Sequence, residues 1–171
     1  MNKLHEELNN SSDYNKQAFY FVKEINAESD RGAVLFAAAF FEDKLSQIII
    51  NYFNNTKILK QVNNFNSKIE FCYNIGFLTK HEYSELHILR DIRNDFAHKF
   101  EYMFSFEDEK VTSNCRKFNA TISEGKPFYN NQPKKLFINA IIQLHNNLLL
   151  RHKLAETYKL TKQPIPLPNQ I

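Results

Sequence analysis

Glycine and proline are scarce in this chain, with three glycines and five prolines among 171 residues. With no internal period in the range of roughly 20 to 50 residues, that scarcity excludes repeat arrays and low-complexity tracts. Strand-forming alternation is thin as well. No apolar run approaches the ~20 residues of a membrane span, so no membrane contact is expected. The opening residues from Met1 to Glu7 lack the apolar core of a secretory leader, and the expected location is cytoplasmic. The two cysteines, Cys72 and Cys115, lie far apart and neither has a Cys-x-x-Cys partner. That pattern argues against a zinc site or a disulfide framework and for free, buried thiols.

What is present is a hydrophobic fraction of 43%, enough for one domain with a real core. A net charge of +3 permits RNA or DNA contact without demanding it. The charges are uneven: Glu101, Glu107, Asp108 and Glu109 form an acidic group. Lys134, Lys135, Arg151, Lys153, Lys159 and Lys162 make the C-terminal part basic. Asn, Lys, Ile and Phe are abundant, as an AT-rich genome would produce, so single Asn and Lys residues carry little weight.

Helical periodicity dominates. Phe19, Val22 and Ile25 predict a first helix from about Asp13 to Ala27. Ser29 is a good N-cap for a second helix from Asp30 to about Phe53, whose middle, Ala33 to Phe41, is apolar on nearly every face. Thr56 to Val62 predicts a short helix, followed by a polar break at Asn63 to Asn66. Asn66 or Ser67 would cap a helix through Phe77 that packs with Ile69, Cys72, Tyr73 and Ile75. Thr79 and Glu82 make a capping box that starts a helix near Lys80, ending near His98 or Lys99. Asp108 to Phe118 reads as a short helix and Thr121 to Gln132 as a loop. Pro133 opens a last helix to about Leu160 with Leu136, Phe137, Ala140, Ile141, Leu144, Leu148 and Ala155 as its stripe. The expected fold is all-α, a single compact bundle of six to seven helices over residues 13–162. Residues 1–12 would fray and residues 163–171 would form a proline-containing tail.

The chemistry-bearing segment is Arg93-Asn94-Asp95-Phe96-Ala97-His98. On its helix Ile88, Leu89, Ile92 and Phe96 share the apolar stripe, while His87, Arg90, Asn94 and His98 fall opposite, with Arg93 at the boundary. Asn94 and His98 are four apart and can touch; Arg93 and His98 diverge by about 140° on a regular helix. Metal-free RNA cleavage needs a group of near-neutral pKa and a fixed cation, which His98 and Arg93 would supply, Asn94 orienting the imidazole. The bland alternative is that Arg93 and His98 only stabilise a helix C-terminus. Asp30 and Arg31, at the start of the central helix, are further binding candidates if Arg31 faces this segment.

The hexapeptide matches the R-N-x-x-x-H form of the R-x(4–6)-H motif of HEPN domains, helical proteins many of which are metal-independent RNases acting as dimers. A longer series of blocks resembles the MltR family, named for the mannitol operon repressor: Glu28 to Phe40, Phe65 to Ile69, Tyr73 to Leu78, Leu89 to His98 and Ser105 to Asp108. In order and spacing these cover about Glu28 to Phe118. The resemblance implies an α-helical fold and a role in transcription regulation. It does not extend to the last helix or the tail.

No DNA-reading element stands out. The best helix-turn-helix candidate, Lys68 to Arg93 with Gly76 in its turn, would present His81, Glu82, Tyr83 and Glu85 to the DNA, and the carboxylates would repel phosphate. His81, His87 and His98 lack a carboxylate set at ligand spacing, so neither a metal nor any other cofactor is expected. No G-x-S-x-G elbow occurs, and Cys72 sits on an apolar helix face that disfavours a thiolate. Phe100, Tyr102, Phe104 and Phe106 alternate like a strand or a base-stacking strip, but a hydrophobic flap is the favoured reading. Two functions stay open: an MltR-like regulator that works through protein contacts, expected as a homodimer with a regulatory protein partner, and a HEPN-type endoribonuclease acting on RNA. A third is the antitoxin-like or scaffold role of an inactive HEPN relative.

Overall fold

The computed structural model describes residues 16–53, 56–99, 104–118, 129 and 131–157. Among these it is an all-α bundle of six helices: α1 (16–27), α2 (Asp30–Tyr52), α3 (Phe65–Asn74), α4 (Lys80–His98), α5 (Glu109–Cys115) and α6 (Pro133–Thr157). The short helix expected over Thr56 to Val62 is a 3-10 helix, Thr56–Lys60. The expected frayed N-terminus, the tail at 163–171 and most of the 121–132 loop lie outside the described residues. None of the described helices is long and apolar enough to cross a membrane.

The bundle is organised around α2, which packs most extensively on α6 and then on α4 and α3. Ala33, Val34, Ala37, Ala38, Phe41, Leu45, Ile48 and Ile49 are its buried face. The small residues Ala33, Ala37 and Ala38 let neighbouring helices approach closely. One flank remains in solvent at Leu35, Ala39 and Ile50, so α2 is central without being enclosed on every side. Every residue of the expected α6 stripe is buried. α1 buries Phe21 and Ile25 with Ala18 and Val22 beside them, a helical i, i+3, i+4, i+7 stripe. Phe19, expected in that stripe, lies one position off it and is 66% exposed.

Local capping chemistry sets the helix ends. The Ser29 hydroxyl accepts from Gly32 N at 3.0 Å, and the Thr79–Glu82 capping box is complete. α3 differs from the sequence reading at both ends. Asn64, rather than Asn66 or Ser67, is the N-cap, paired with Ser67 in a reciprocal box. Three residues short of the expected Phe77, a Schellman motif ends the helix: Gly76 N donates to Tyr73 O at 3.0 Å and Phe77 N to Cys72 O at 2.9 Å. Gly76 takes φ +80°, a conformation that costs other residues free energy.

α3 and α4 lie antiparallel along their lengths, since Asn66 meets Arg90 while Glu70 meets both Tyr83 and His87. A DNA-reading pair would cross steeply instead. The carboxylates expected to face outward are buried: Glu82 is 3% and Glu85 1% exposed. Glu82 is drawn inward because Arg151 Nε of α6 donates to it at 3.2 Å.

Candidate functional site

The segment from Arg93 to His98 is the last turn and a half of α4, anchored on its inner side by aromatic packing. Phe96 is fully buried, its ring 4.8 Å from that of Phe104 and 5.5 Å from that of Phe106. Phe106 continues the chain of rings to Phe137 of α6 at 5.0 Å. Phe104 and Phe106 thus belong to the core; Phe100 and Tyr102 lie outside the described residues.

Charged groups tie the helix end to its neighbours. The Arg31 guanidinium donates to the Phe96 carbonyl through Nη1 and to the Lys99 carbonyl through Nη2, the latter at 2.7 Å. Arg31 therefore meets the segment at its carbonyls, where a cation complements the negative end of the helix dipole. Asp30 accepts from Phe106 N at 3.2 Å and pairs with Lys134 at 3.1 Å, joining the 104–108 turn and the start of α6 to α2. Lys110 pairs with Asp95 Oδ1 at 2.6 Å, and that hydrogen bond, then the carboxylate's charge, raises the Lys110 ammonium above its ordinary value. Asp95 Oδ2 is buried with no hydrogen-bond partner among the described residues.

The outer side is different. Arg93 is exposed and donates to the Asn94 side-chain carbonyl at 3.1 Å. It thus stands in solvent rather than at the edge of the core. Among the described residues no side-chain hydrogen bond joins Asn94 to His98: the Asn94 side-chain oxygen is engaged by Arg93, and His98 is exposed at the helix end. Arg93 and Asn94 open onto a cleft of about 300 Å3 that His98 does not line. Arg90 shares their wall, and Asn63, Asn64, Phe65 and Asn66 form the opposite one, with Glu42 of α2 between. Within one chain Arg93 and Asn94 are brought together; His98 is left apart from Arg93, as their helical divergence requires, and the Asn94–His98 side-chain contact that the spacing allows is not formed as a hydrogen bond.

The neighbouring groove holds a second polar cluster. Tyr83 OH donates to Glu70 Oε1 at 2.9 Å, and His87 Nε2 lies 3.1 Å from the same oxygen. The Glu70 hydrogen bond, followed by burial, raises the Tyr83 phenol above its ordinary value. Helical spacing puts His87 and Arg90 on the face of Asn94, but it does not reveal the facing wall. The only signal for it was the run from Asn63 to Asn66, whose local reading is a polar break.

Fold and site together define an all-α bundle with a cross-braced helix end and a polar cleft on its flank. No family model matches the chain, and no curated protein matches it in sequence. A chain of the X-ray structure of the MtlR–HPr complex from Escherichia coli has a similar fold, with a TM-score of 0.61 at 11% identity, over 77% of this chain and 97% of that one. At that identity the likeness is one of fold, and it supports an MltR-like architecture.

Proposed function

We propose that this protein is an MltR-like regulatory protein that acts by binding another protein rather than by reading DNA. The observation that carries the reading is the shared fold with a chain of a complex in which MtlR is bound to HPr. The side-by-side packing of α3 and α4, with Glu82 and Glu85 turned inward, supports the second half, because no exposed recognition helix is formed there. The reading takes residues 13–162 as one domain, the protein as cytoplasmic, and a homodimer as its working form. Isothermal titration of the full chain with HPr should give saturable micromolar binding, and sedimentation should give a dimer. Absence of heat with HPr would remove the protein-contact reading in its present form.

A second reading, a HEPN-type metal-independent endoribonuclease, is favoured by one observation. Arg93 is exposed without a carboxylate partner among the described residues, and His98 is exposed as well. Two copies facing each other would bring Arg93 of one to His98 of the other, with Asn94 setting the Arg93 geometry. RNA should then be cut in the presence of EDTA, leaving cyclic phosphate ends, and His98→Ala should stop cleavage with the fold intact. Cleavage that survives in His98→Ala would exclude the assignment. Arg31 enters either reading as the residue that fixes the α4 terminus, and Asp30 as the one that holds the 104–108 turn and the start of α6 to α2.

A further inference from the structure

We infer that the cleft between α3 and α4 binds a small phosphomonoester whose body is rich in hydroxyl groups. The inference goes beyond the regulatory reading and does not depend on it. Its basis is the balance of charge around the cleft. Glu42 is paired with Lys68 at 2.8 Å, and Arg90 with Asp91 at 2.9 Å. Arg93 is the lining charge left without a counter-ion among the described residues. Its guanidinium has five N–H donors, and the one bond it shows goes to a neutral amide, so donors remain for an anion at the cleft that Arg93 lines.

The remaining lining suits the rest of such a ligand. Asn63, Asn66 and Asn94 line the cleft and keep side-chain N–H donors for a ligand's hydroxyls, while their oxygens accept from Asn64, Arg90 and Arg93. Phe65 adds an apolar surface, and a volume of about 300 Å3 admits a molecule of monosaccharide-phosphate size. A cleft with a single uncompensated cation selects one compact anion. A polyanionic strand, whose binding scales with the number of free cations it meets, would find one such cation in the cleft.

The test titrates the full chain at millimolar concentration with glucose 6-phosphate, ribose 5-phosphate and glycerol 3-phosphate, with inorganic phosphate, glucose and a short single-stranded RNA as comparisons. Side-chain amide signals of the Asn residues report occupancy. At least one phosphomonoester should bind about tenfold or more tighter than inorganic phosphate. Arg93→Ala should weaken it about tenfold to a hundredfold, the loss of one charge-assisted contact. Asn94→Asp, which supplies Arg93 with a carboxylate, should weaken binding similarly with unchanged circular dichroism. Binding no tighter than inorganic phosphate, affinity indifferent to Arg93, no binding at all, or Arg93-dependent binding confined to RNA would each overturn the proposal. HPr binding, measured separately, reports on the regulatory reading alone.

Discussion

Arg31 and Phe96, 65 positions apart, are joined by a hydrogen bond from the guanidinium to the backbone carbonyl, and the same guanidinium reaches the Lys99 carbonyl at 2.7 Å. The side chain of one helix start thus closes the end of another. Arg31→Ala leaves two carbonyls of a helix terminus without that partner and should cost about 1–3 kcal/mol. Arg31→Lys, which lacks the planar fork, should recover only part of the loss. Urea denaturation followed by circular dichroism measures both; an unmoved midpoint in the Ala variant would mean that water replaces the cap at no cost.

Gly76 is the turn residue of the α3 Schellman motif, at φ +80°, with open space where a Cβ would stand. The cost of Gly76→Ala is therefore conformational rather than steric. It should be about 1 kcal/mol, seen as a lowered denaturation midpoint with an unchanged spectrum.

Glu82 illustrates a local signal put to a tertiary use. Its carboxylate accepts from Thr79 N at 2.7 Å, from Thr79 Oγ1 at 2.9 Å, and from Arg151 Nε at 3.2 Å. Glu82→Ala removes the capping box and strands the Arg151 cation, which is 27% exposed and so partly hydrated. The expected loss is about 2–4 kcal/mol, below that of breaking a fully enclosed pair. A double mutant with Arg151→Met should lose less than the single mutant, since no buried charge is then left alone.

What could be read from the sequence divides along the same line. The Ser29 cap, the Thr79–Glu82 box and the α6 stripe depend on residues within a turn or two of one another, and all three are present. The α3 N-cap was ambiguous because Ser67, the reciprocal partner in the box, is itself a good capping residue. Phe19 and Phe21 fit adjacent helical stripes equally well in sequence, and only contact with Phe40 and Phe41 decides for Phe21. Burial of Glu82 required Arg151, 69 positions away. The cleft required Asn66 to meet Arg90 across a helix pair, a juxtaposition no local spacing encodes. Spacing alone leaves Arg31 between capping its own helix and facing the α4 segment, and it meets the α4 terminus at backbone carbonyls.

The buried thiols predict a chemical silence. Burial pushes both Cys72 and Cys115 up to about 12, so almost no thiolate exists at neutral pH. Ellman's reagent should react with neither in the folded protein and with both in urea. Rapid reaction of one thiol in native buffer would show that its helix opens locally at low cost.

His145 makes stability depend on pH, and the direction follows from its surroundings. The imidazole is 2% exposed, stacked 4.4 Å from the Phe21 ring and 5.1 Å from the Phe40 ring. Burial penalises the imidazolium and lowers the folded value below the ordinary 6.5, with Lys44 acting in the same sense and the Asn146 hydrogen bond opposing it. The unfolded chain therefore takes up the proton more readily than the folded one. The stabilising contribution of a neutral His145 is complete above about pH 6.5 and is lost as pH falls from there through the folded value. His152 is lowered by burial too and adds to the slope. Melting temperature should decline between about pH 7 and about pH 5. His145→Phe keeps a ring between Phe21 and Phe40 while removing the titration, so its decline should be shallower, the remainder belonging to His152. Identical slopes for the two proteins would show that the imidazole is protonated without leaving its stack, and that α1 stays packed against α6 through the change of charge.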